Sequence, residues 1–210
     1  MMKKCVHLLL IGDSYLLELR KLTLPNLYAY AEKIGADVNL ITTRKYPEWP
    51  ITYEKFQIYD DGKDFDWNVF IDIDTIIHPD FYDVTLQYPK SVVSFNFAYH
   101  ADQQLRPDKY FARDGRNVGI ATNFVVTSDW THDFWEPLDV PLEVARQNII
   151  RQHIMDEYCA SRNLAKYGLK YAGVAPTPES QKLILHLGAE GENEKESVKR
   201  AKTYIKSFKK

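Results

Sequence analysis

One stretch decides the fold of this chain: Asp66-Trp67-Asn68-Val69-Phe70-Ile71-Asp72-Ile73-Asp74-Thr75. It is an apolar strand pattern that ends in two carboxylates spaced two residues apart. Side chains alternate across a strand at ~3.3 Å per residue, which predicts that Asp72 and Asp74 point to one side, roughly 7 Å apart. Burying two like charges beside apolar residues costs stability unless a cation joins them. The run therefore predicts a divalent ion, Mn²⁺ or Mg²⁺, bound together with phosphate oxygens.

The residues before this run predict a β-α-β unit. A continuous apolar run over residues 5–11 indicates a strand covered on both faces, and residues 36–42 indicate a second strand. Between them lies a helical pattern that ends near Ile34, with Pro25 expected in its first turn and Gly35 as its stop. A parallel crossover of this kind is right-handed, and ligands of such sheets bind at the carboxyl ends of the strands. The acid pair therefore lies at the edge where a ligand is expected.

Further elements are predicted along the rest of the chain. Residues 52–59 indicate a short helix, residues 142–167 one long helix and residues 194–209 a charged helix. Strands are expected at 91–97, 119–127, 169–174 and 183–187. The segment 99–116 is too polar for the core and predicts a loop over the site.

Composition indicates one α/β domain that spans residues 1–210. With 210 residues, of which 45% are hydrophobic, the chain suffices for a single core. A net charge of -2 gives no global field that would attract nucleic acid or an anionic membrane. Cys5 and Cys159 are expected to be free thiols in a reducing compartment. The apolar run near the N-terminus is too short for a signal peptide, and no run approaches the ~20 apolar residues of a membrane helix, so we expect a soluble cytoplasmic protein.

A histidine near the end of the chain is a candidate metal ligand. His186 lies inside the apolar run Leu183-Ile184-Leu185-His186-Leu187, which Gly188 follows. A lone strand histidine is more often a satisfied core residue, but beside an acid pair it becomes the best nitrogen ligand for the same ion. Gly188 would let the backbone approach a diphosphate closely.

Taken together, these segments resemble metal-dependent GT-A glycosyltransferases. The resemblance covers roughly residues 5–190 and rests on the N-terminal strand, Tyr53-Glu54-Lys55-Phe56, residues 70–75 and Leu185-His186-Leu187-Gly188. It implies a single GT-A domain with a mixed, largely parallel sheet flanked by helices. Its parts would be a nucleotide-binding half at 5–75, a donor-sugar and acceptor half at 76–190 and a C-terminal helix at 191–210. The chain is similar to small members encoded by large algal viruses, which would place it in the host cytoplasm.

The resemblance implies a role for each candidate site residue. Asp72 would reach the ribose or the metal, Asp74 would bind the metal and His186 would complete its coordination. Lys55 would reach phosphate or sugar. In the alternative interpretation it is an ordinary surface lysine without a functional role. The nucleotide would contact residues at the end of the first strand, namely Ile11, Gly12, Asp13 and Tyr15. Asp13 would be a helix cap or turn residue in the alternative interpretation.

The implied reaction is transfer of a sugar from a nucleoside-diphosphate sugar, with a UDP-sugar favoured, to a hydroxyl of a glycan or small-molecule acceptor. The transferred group would be a hexosyl or deoxyhexosyl unit. Asp156 is favoured as the base of an inverting reaction, with Glu157 beside it. One retaining branch carries Asp-Gln at this place, which leaves the stereochemical outcome open. The donor sugar would contact Asn117, Thr122 and Asn123, and aromatic residues that stack on an acceptor would be Tyr99, His100, Trp130 and Trp135.

Two other interpretations remain open at the level of sequence. Residues 70–76 also resemble the nucleophile motif of aspartate-dependent phosphatases, in which Asp72 would attack phosphate and Asp74 would protonate the leaving group. That motif usually follows the first strand of its domain. In addition, Thr75 stands one position earlier than the threonine that is usual in the motif. A sugar-nucleotide or glycan binding module without catalysis is the third interpretation.

Overall fold

A six-stranded mixed sheet forms the centre of the computed structural model, which describes residues 2–12, 16–96, 120–147, 154–188 and 193–208. The strands in spatial order are β2 (Asp37–Ile41), β1 (Lys4–Leu9), β3 (Trp67–Ile71), β6 (Phe124–Ser128), β5 (Val92–Phe95) and β7 (Lys170–Gly173). Only the two pairs that involve β6 are antiparallel among these strands. The predicted mixed, largely parallel sheet flanked by helices is confirmed.

The direction of β6 matters for the site. Because β6 is antiparallel to β3, the residues that precede β6 lie at the same edge of the sheet as the residues that follow β3. The backbone N–H of Asp72, just after β3, donates to the carbonyl oxygen of Asn123, just before β6, at 2.8 Å. This edge is also where β1 ends.

Helices and a two-stranded ribbon surround the sheet. The ribbon pairs β4 (Thr75–Ile77) with β8 (Ile184–His186) in antiparallel register. The α-helices are α1 (Leu17–Ile34), α2 (Ile58–Asp61), α3 (Leu142–Gln147), α4 (Met155–Lys166), α5 (Pro178–Gln181) and α6 (Glu194–Ser207). Among the residues that the structure describes, three further segments are 3₁₀ helices, at Ile51–Gln57, Val84–Leu86 and Asp129–Trp135.

Alternation along each central strand divides the core into two layers. In β3, Val69 and Ile71 face the layer under α1, whereas Phe70 faces the layer under the 3₁₀ helix Ile51–Gln57 and α4. All of these side chains are fully buried. A smaller cluster around Leu19, Ile76, Leu187 and Ala201 joins α1 and α6 to the ribbon. Both faces of the sheet are therefore covered, which explains why its central strands are almost continuously apolar.

Helix α1 differs from the sequence prediction at its start. Pro25 lies in the middle of the helix and not in its first turn. Proline lacks the N–H that would bond to the carbonyl group one turn earlier. Pro25 is on the solvent-exposed side, where water can satisfy that carbonyl group. Gly35 ends the helix in the left-handed conformation, φ 66°, as predicted.

The long helix predicted over residues 142–167 is also wrong. Helix α4 begins at Met155, and Ile154 before it has non-helical angles, φ -102° and ψ 22°. The apolar spacing continues across this boundary, which misled the prediction. The predicted loop over the site, 99–116, lies outside the described residues. No helix in the described part of the chain has the length and apolarity needed to cross a membrane.

Candidate active site

The acid pair lies in a turn and not on a strand. Strand β3 ends at Ile71, and the Thr75 N–H closes the turn by donating to the carbonyl oxygen of Asp72 at 3.0 Å. The chain then leaves the central sheet to pair with β8. The predicted strand geometry for the pair is therefore wrong, because the strand stops one residue before the first acid.

Three side chains converge at this turn. Thr75 of β4 is the register partner of His186 of β8, which brings the imidazole next to the acid pair. His186 Nε2 lies 3.3 Å from Asp74 Oδ1 and 3.9 Å from Asp72 Oδ2. One ligand atom from each of the three residues lies within 4.8 Å of the others. The set of two carboxylates and one imidazole suits a divalent cation.

Asp74 provides a test of whether a cation fits here. Its Oδ1 is buried and has no hydrogen-bond partner among the described residues, and His186 Nε2 lies 3.3 Å away as an ion-pair contact. A buried carboxylate oxygen without a partner is costly, and coordination to a cation would remove that cost. The other carboxylate oxygen, Oδ2, is close to Gly188: a Cβ added at residue 188 would lie 2.2 Å from it, so a side chain there would displace the carboxylate. The residues present therefore fit Mn²⁺ or Mg²⁺.

The protonation equilibria of this cluster follow from burial and mutual charge. Burial raises the pKa of Asp72, and the ammonium of Lys55 only partly opposes it. Burial acts in the same direction on Asp74, but His186 holds the pKa of that carboxyl below its usual range. Burial would lower the pKa of His186, yet the two aspartates raise it. The neighbouring carboxylates thus attract positive charge to this point in the fold.

A cleft of about 350 Å³ opens beside the cluster. Its walls come from the end of β1, the start of the 3₁₀ helix Ile51–Gln57 and the turn after β3. They comprise Leu9, Ile11, Gly12, Ile51, Thr52, Lys55, Asp72, Ile73 and Asp74. The apolar side chains suit a ring system, and the charged groups at one end suit a diphosphate.

Lys55 forms the floor of the cleft next to Asp72. Its Nζ lies 3.2 Å from Asp72 Oδ1, 2.9 Å from Asp156 Oδ2 and 4.8 Å from the centre of the Phe70 ring. Thr122, just before β6, adds its hydroxyl at 3.2 Å from Nζ. From the sequence, a functional role for Lys55 rested only on the resemblance. The structure brings Lys55 into contact with Asp72, the first member of the acid pair.

The first turn of α4 holds the two candidate bases. Asp156 is 2% exposed and is ion-paired with Lys55, so the pKa of its carboxyl is lowered despite burial. Glu157 is half-buried, and burial together with the charge of Asp156 raises its pKa to about 8. The assignment of Asp156 as the base stays a prediction, but its engaged carboxylate favours a different role.

The remaining predicted residues divide into three groups. Ile11 and Gly12 line the cleft, while Thr122 and Asn123 are buried at its sheet edge. Trp135 is fully buried in the core and Trp130 is 71% exposed in the 3₁₀ helix after β6, so the structure does not bring them together as an acceptor platform. The third group lies outside the described residues and comprises Asp13, Tyr15, Tyr99, His100 and Asn117.

The sequence did not predict the hydrogen bonds that hold the 3₁₀ helix Ile51–Gln57 and the loop before it in place. Glu54 is fully buried and accepts from Arg44 Nε at 2.6 Å and from the backbone N–H groups of Lys45 and Tyr46. These bonds fix the loop that precedes Ile51 and Thr52, which line the cleft. The only signal was Glu54 itself, an acid that stands beside Lys55 between the aromatic residues Tyr53 and Phe56.

The fold defined by this sheet and site is the GT-A fold of nucleotide-diphospho-sugar glycosyltransferases. A similar solved structure is the glycosyltransferase involved in the glycosylation of the major capsid of PBCV-1, a chlorella virus, which agrees with the expected likeness to algal-virus members. It is 13% identical, with 95% of this chain and 99% of that chain covered and a TM-score of 0.55.

Two other glycosyltransferases share the fold. The galactosyltransferase LgtC, solved with donor and acceptor sugar analogues, has a TM-score of 0.58 at 11% identity, with 97% of this chain and 95% of that chain covered. A Drosophila β1,4-galactosyltransferase 7 mutant in complex with manganese, UDP-Gal and xylobiose has a TM-score of 0.50 at 12% identity, with 94% and 79% covered. Neither protein-family models nor curated protein sequences match the chain. At these identities the likeness shows the fold alone.

Proposed function

We propose that this protein is a divalent-metal-dependent glycosyltransferase that takes its sugar from a UDP-sugar and transfers it to a hydroxyl of a glycan or small-molecule acceptor. The observation that carries the proposal is the convergence of Asp72, Asp74 and His186 beside a cleft that has Lys55 at its floor. The structural neighbours are glycosyltransferases, and one of them was solved with manganese and UDP-Gal.

The site residues would bind the cation and the nucleotide. Asp72, Asp74 and His186 would hold the cation, and Gly188 leaves space against Asp74. When bound, Mn²⁺ or Mg²⁺ would supply positive charge for the departing diphosphate. Ile11 and Gly12 would contact the nucleotide, and Lys55 would add a fixed positive charge.

Proton transfer is assigned to α4. Transfer of a sugar to a hydroxyl group releases a proton, and a carboxylate within reach of the acceptor would accept it in an inverting reaction. Glu157 suits this role better than Asp156, because Asp156 is buried behind Lys55 and its carboxylate is already engaged. Inversion remains part of the proposal.

The phosphatase interpretation is less well supported by the geometry. Asp72 would have to attack a phosphorus atom, yet its Oδ1 is ion-paired to Lys55 and its pKa is raised by burial. The acid pair follows β3, and not the first strand of the chain as in the phosphatase motif. The fold is shared with solved glycosyltransferases.

The proposal is tested by turnover. The purified protein is incubated with Mn²⁺, a panel of UDP-sugars and a mixture of glycan acceptors, and release of UDP is measured with and without EDTA. We expect UDP release from at least one donor that stops when the metal is removed. Release of phosphate from p-nitrophenyl phosphate without UDP release would establish the phosphatase interpretation. Binding of UDP with Mn²⁺ but no turnover of any donor would establish the binding module.

A further inference from the structure

Lys55 is a buried cation whose donors are all used within the protein. Lys55 is 4% exposed, and its ammonium group has three N–H donors. Its Nζ lies 2.9 Å from Asp156 Oδ2, 3.2 Å from Asp72 Oδ1 and 3.2 Å from Thr122 Oγ1. A flexible four-carbon stem would not hold an ammonium group at one point without such partners. The contacts therefore fix the charge at the floor of the cleft.

Asp156 is the stronger of the two acidic partners. Its contact with Nζ is shorter than that of Asp72, and its residue is 2% exposed. The Thr122 hydroxyl donates to the same Asp156 Oδ2 at 2.5 Å, and Thr52 is a further donor to this carboxylate. Three of the roughly four lone-pair sites of this carboxylate therefore accept from protein donors. Almost none of its surface is exposed to an acceptor sugar.

From this geometry we infer that Asp156 is a positioning residue, which holds the Lys55 ammonium beside Asp72 so that the cleft presents a fixed positive charge to the diphosphate of the donor. The inference rests on the proposed function for the identity of the ligand. It assigns Asp156 to donor binding and removes it from proton transfer. Thr122 belongs to the same network, because its hydroxyl lies within hydrogen-bond distance of both Lys55 and Asp156.

The two roles of Asp156 predict opposite kinetics. A base acts on the acceptor, so its loss would lower kcat for transfer and leave UDP binding unchanged. A residue that positions Lys55 acts on the donor, so its loss would weaken UDP binding and raise KM for the UDP-sugar. It would also be non-additive with the loss of Lys55, since both changes remove one interaction.

The first experiment needs no ligand. Reductive methylation of the folded protein, followed by peptide mass spectrometry, measures how accessible each lysine amine is. Lys55 should be protected in the parent and modified at least tenfold faster in Asp156→Asn. The matched control is Asp83→Asn, which breaks the Lys4–Asp83 ion pair at 2.6 Å remote from the cleft residues and should leave Lys55 protected. Equal protection of Lys55 in the parent and Asp156→Asn would overturn the inference.

The second experiment measures UDP affinity with Mn²⁺ by calorimetry. We expect about a tenfold loss in Asp156→Asn, a similar loss in Lys55→Met, no greater loss in the double variant and no change in Asp83→Asn. Parental UDP affinity in Asp156→Asn with transfer lowered more than 100-fold would show that Asp156 is the base. If Asp156→Asn does not fold, Thr122→Val tests the same network and should expose Lys55 and weaken UDP binding, whereas parental values for both would overturn the inference.

Failure of the proposed function would be recognised separately. In that case the parent protein itself would neither bind UDP with Mn²⁺ nor release it from any donor. The protection of Lys55 would still decide whether Asp156 positions it.

Discussion

Gly188 lies against the carboxylate of Asp74 so closely that residue 188 has no room for a side chain. A Cβ added there would lie 2.2 Å from Asp74 Oδ2 and 3.4 Å from a ring carbon of His186. Contact below 3.0 Å forces movement of one partner, and here the partner is a proposed metal ligand. Because Gly188 has no side chain, the Asp74 carboxylate can keep its position in the site.

We predict that Gly188→Ala lowers the affinity for Mn²⁺ with UDP by more than tenfold, because the methyl group displaces the Asp74 carboxylate. Calorimetric titration measures the change. Gly35→Ala is the matched control: its Cβ would meet no atom within 4 Å, but φ is +66°, so this variant should lose about 1 kcal/mol of stability and bind as the parent does. Parental binding by Gly188→Ala would refute a site at Asp74.

His186→Ala and Asp74→Ala should each abolish the thermal stabilisation that Mn²⁺ and UDP give together. A ligand at 100 times its Kd stabilises the folded state by about 2.7 kcal/mol. For a chain of this size that corresponds to roughly 5–10 °C in Tm. Differential scanning fluorimetry with each ligand alone and both together measures the shift.

His78→Ala controls for the loss of an imidazole in the neighbouring part of the chain. His78 packs its ring against Phe208 and is not a member of the acidic cluster. Its variant should retain the full ligand-induced shift. A parental shift in both His186→Ala and Asp74→Ala would contradict the ligand assignment.

Glu157 should give the transfer rate its dependence on pH. Burial and the charge of Asp156 raise the pKa of Glu157 to about 8, so the carboxylate form that accepts a proton increases as pH rises toward 8. We expect kcat to rise about tenfold per pH unit between 6 and 7.5. In Glu157→Gln this rise should vanish, with kcat reduced 10²- to 10⁴-fold.

Glu143→Gln is the control for that profile, since Glu143 is an exposed acid in the first turn of the preceding helix α3. It should keep both the rate and the pH dependence of the parent. A Glu157→Gln variant that retained the ascending limb would exclude Glu157 as the base.

The sequence predicted most of the fold because its strands are strongly apolar. The run that ends at Ile71 and the run around Val6 are both buried on two faces, and short continuous apolar runs are typical of strands covered in this way. Pro25 and the break before Met155 were mispredicted for a shared reason. The spacing of apolar residues indicates which face of an element is buried. It does not indicate at which residue the backbone hydrogen bonds of a helix begin or end.

The site was predictable only in part. Asp72, Asp74 and His186 were identified because their residue types are rare in apolar strand patterns. Their actual arrangement depends on a turn and on the pairing of β4 with β8. These two strands are more than 100 residues apart in the sequence, so their pairing leaves no local signal. The same holds for Thr52 and for the Lys55–Asp156 ion pair, whose members meet only through tertiary packing.

Glu194 should stabilise the contact between the first and the last helix. Its Oε1 accepts from the backbone N–H groups of Glu18 at 2.9 Å and Leu19 at 3.3 Å, at the start of α1. The N-cap residue of α1, Leu16, offers no side-chain acceptor, so Glu194 supplies the cap from α6. Glu194→Ala should cost about 1 kcal/mol in urea unfolding, whereas Glu196→Ala, an exposed neighbour, should cost less than 0.5 kcal/mol. Equal values for both variants would contradict the capping role.

His7 should make the protein sensitive to mild acid. It is fully buried in β1, with Nε2 2.8 Å from Asn68 Oδ1 and Nδ1 3.2 Å from Asn39 Nδ2, which suits the neutral ring. Burial lowers its pKa from 6.5 to about 4, despite the hydrogen bond to Asn68. Between these values the unfolded chain binds the proton and the folded chain does not. Stability contributed by the neutral ring is therefore complete above pH 6.5 and is lost as pH falls toward 4, by roughly 3 kcal/mol in total.

Urea unfolding of the parent and of His7→Gln at pH 7.5, 6, 5 and 4.5 measures this contribution. The glutamine side chain does not titrate, so the difference in unfolding free energy between the two proteins should shrink steadily as pH falls, by up to about 1.4 kcal/mol per pH unit. Comparing the two proteins at each pH cancels the carboxylates that both retain. A difference that stayed constant from pH 7.5 to 4.5 would mean that His7 takes up its proton equally in the folded and unfolded chains, and that its buried contacts with Asn68 and Asn39 do not select the neutral ring.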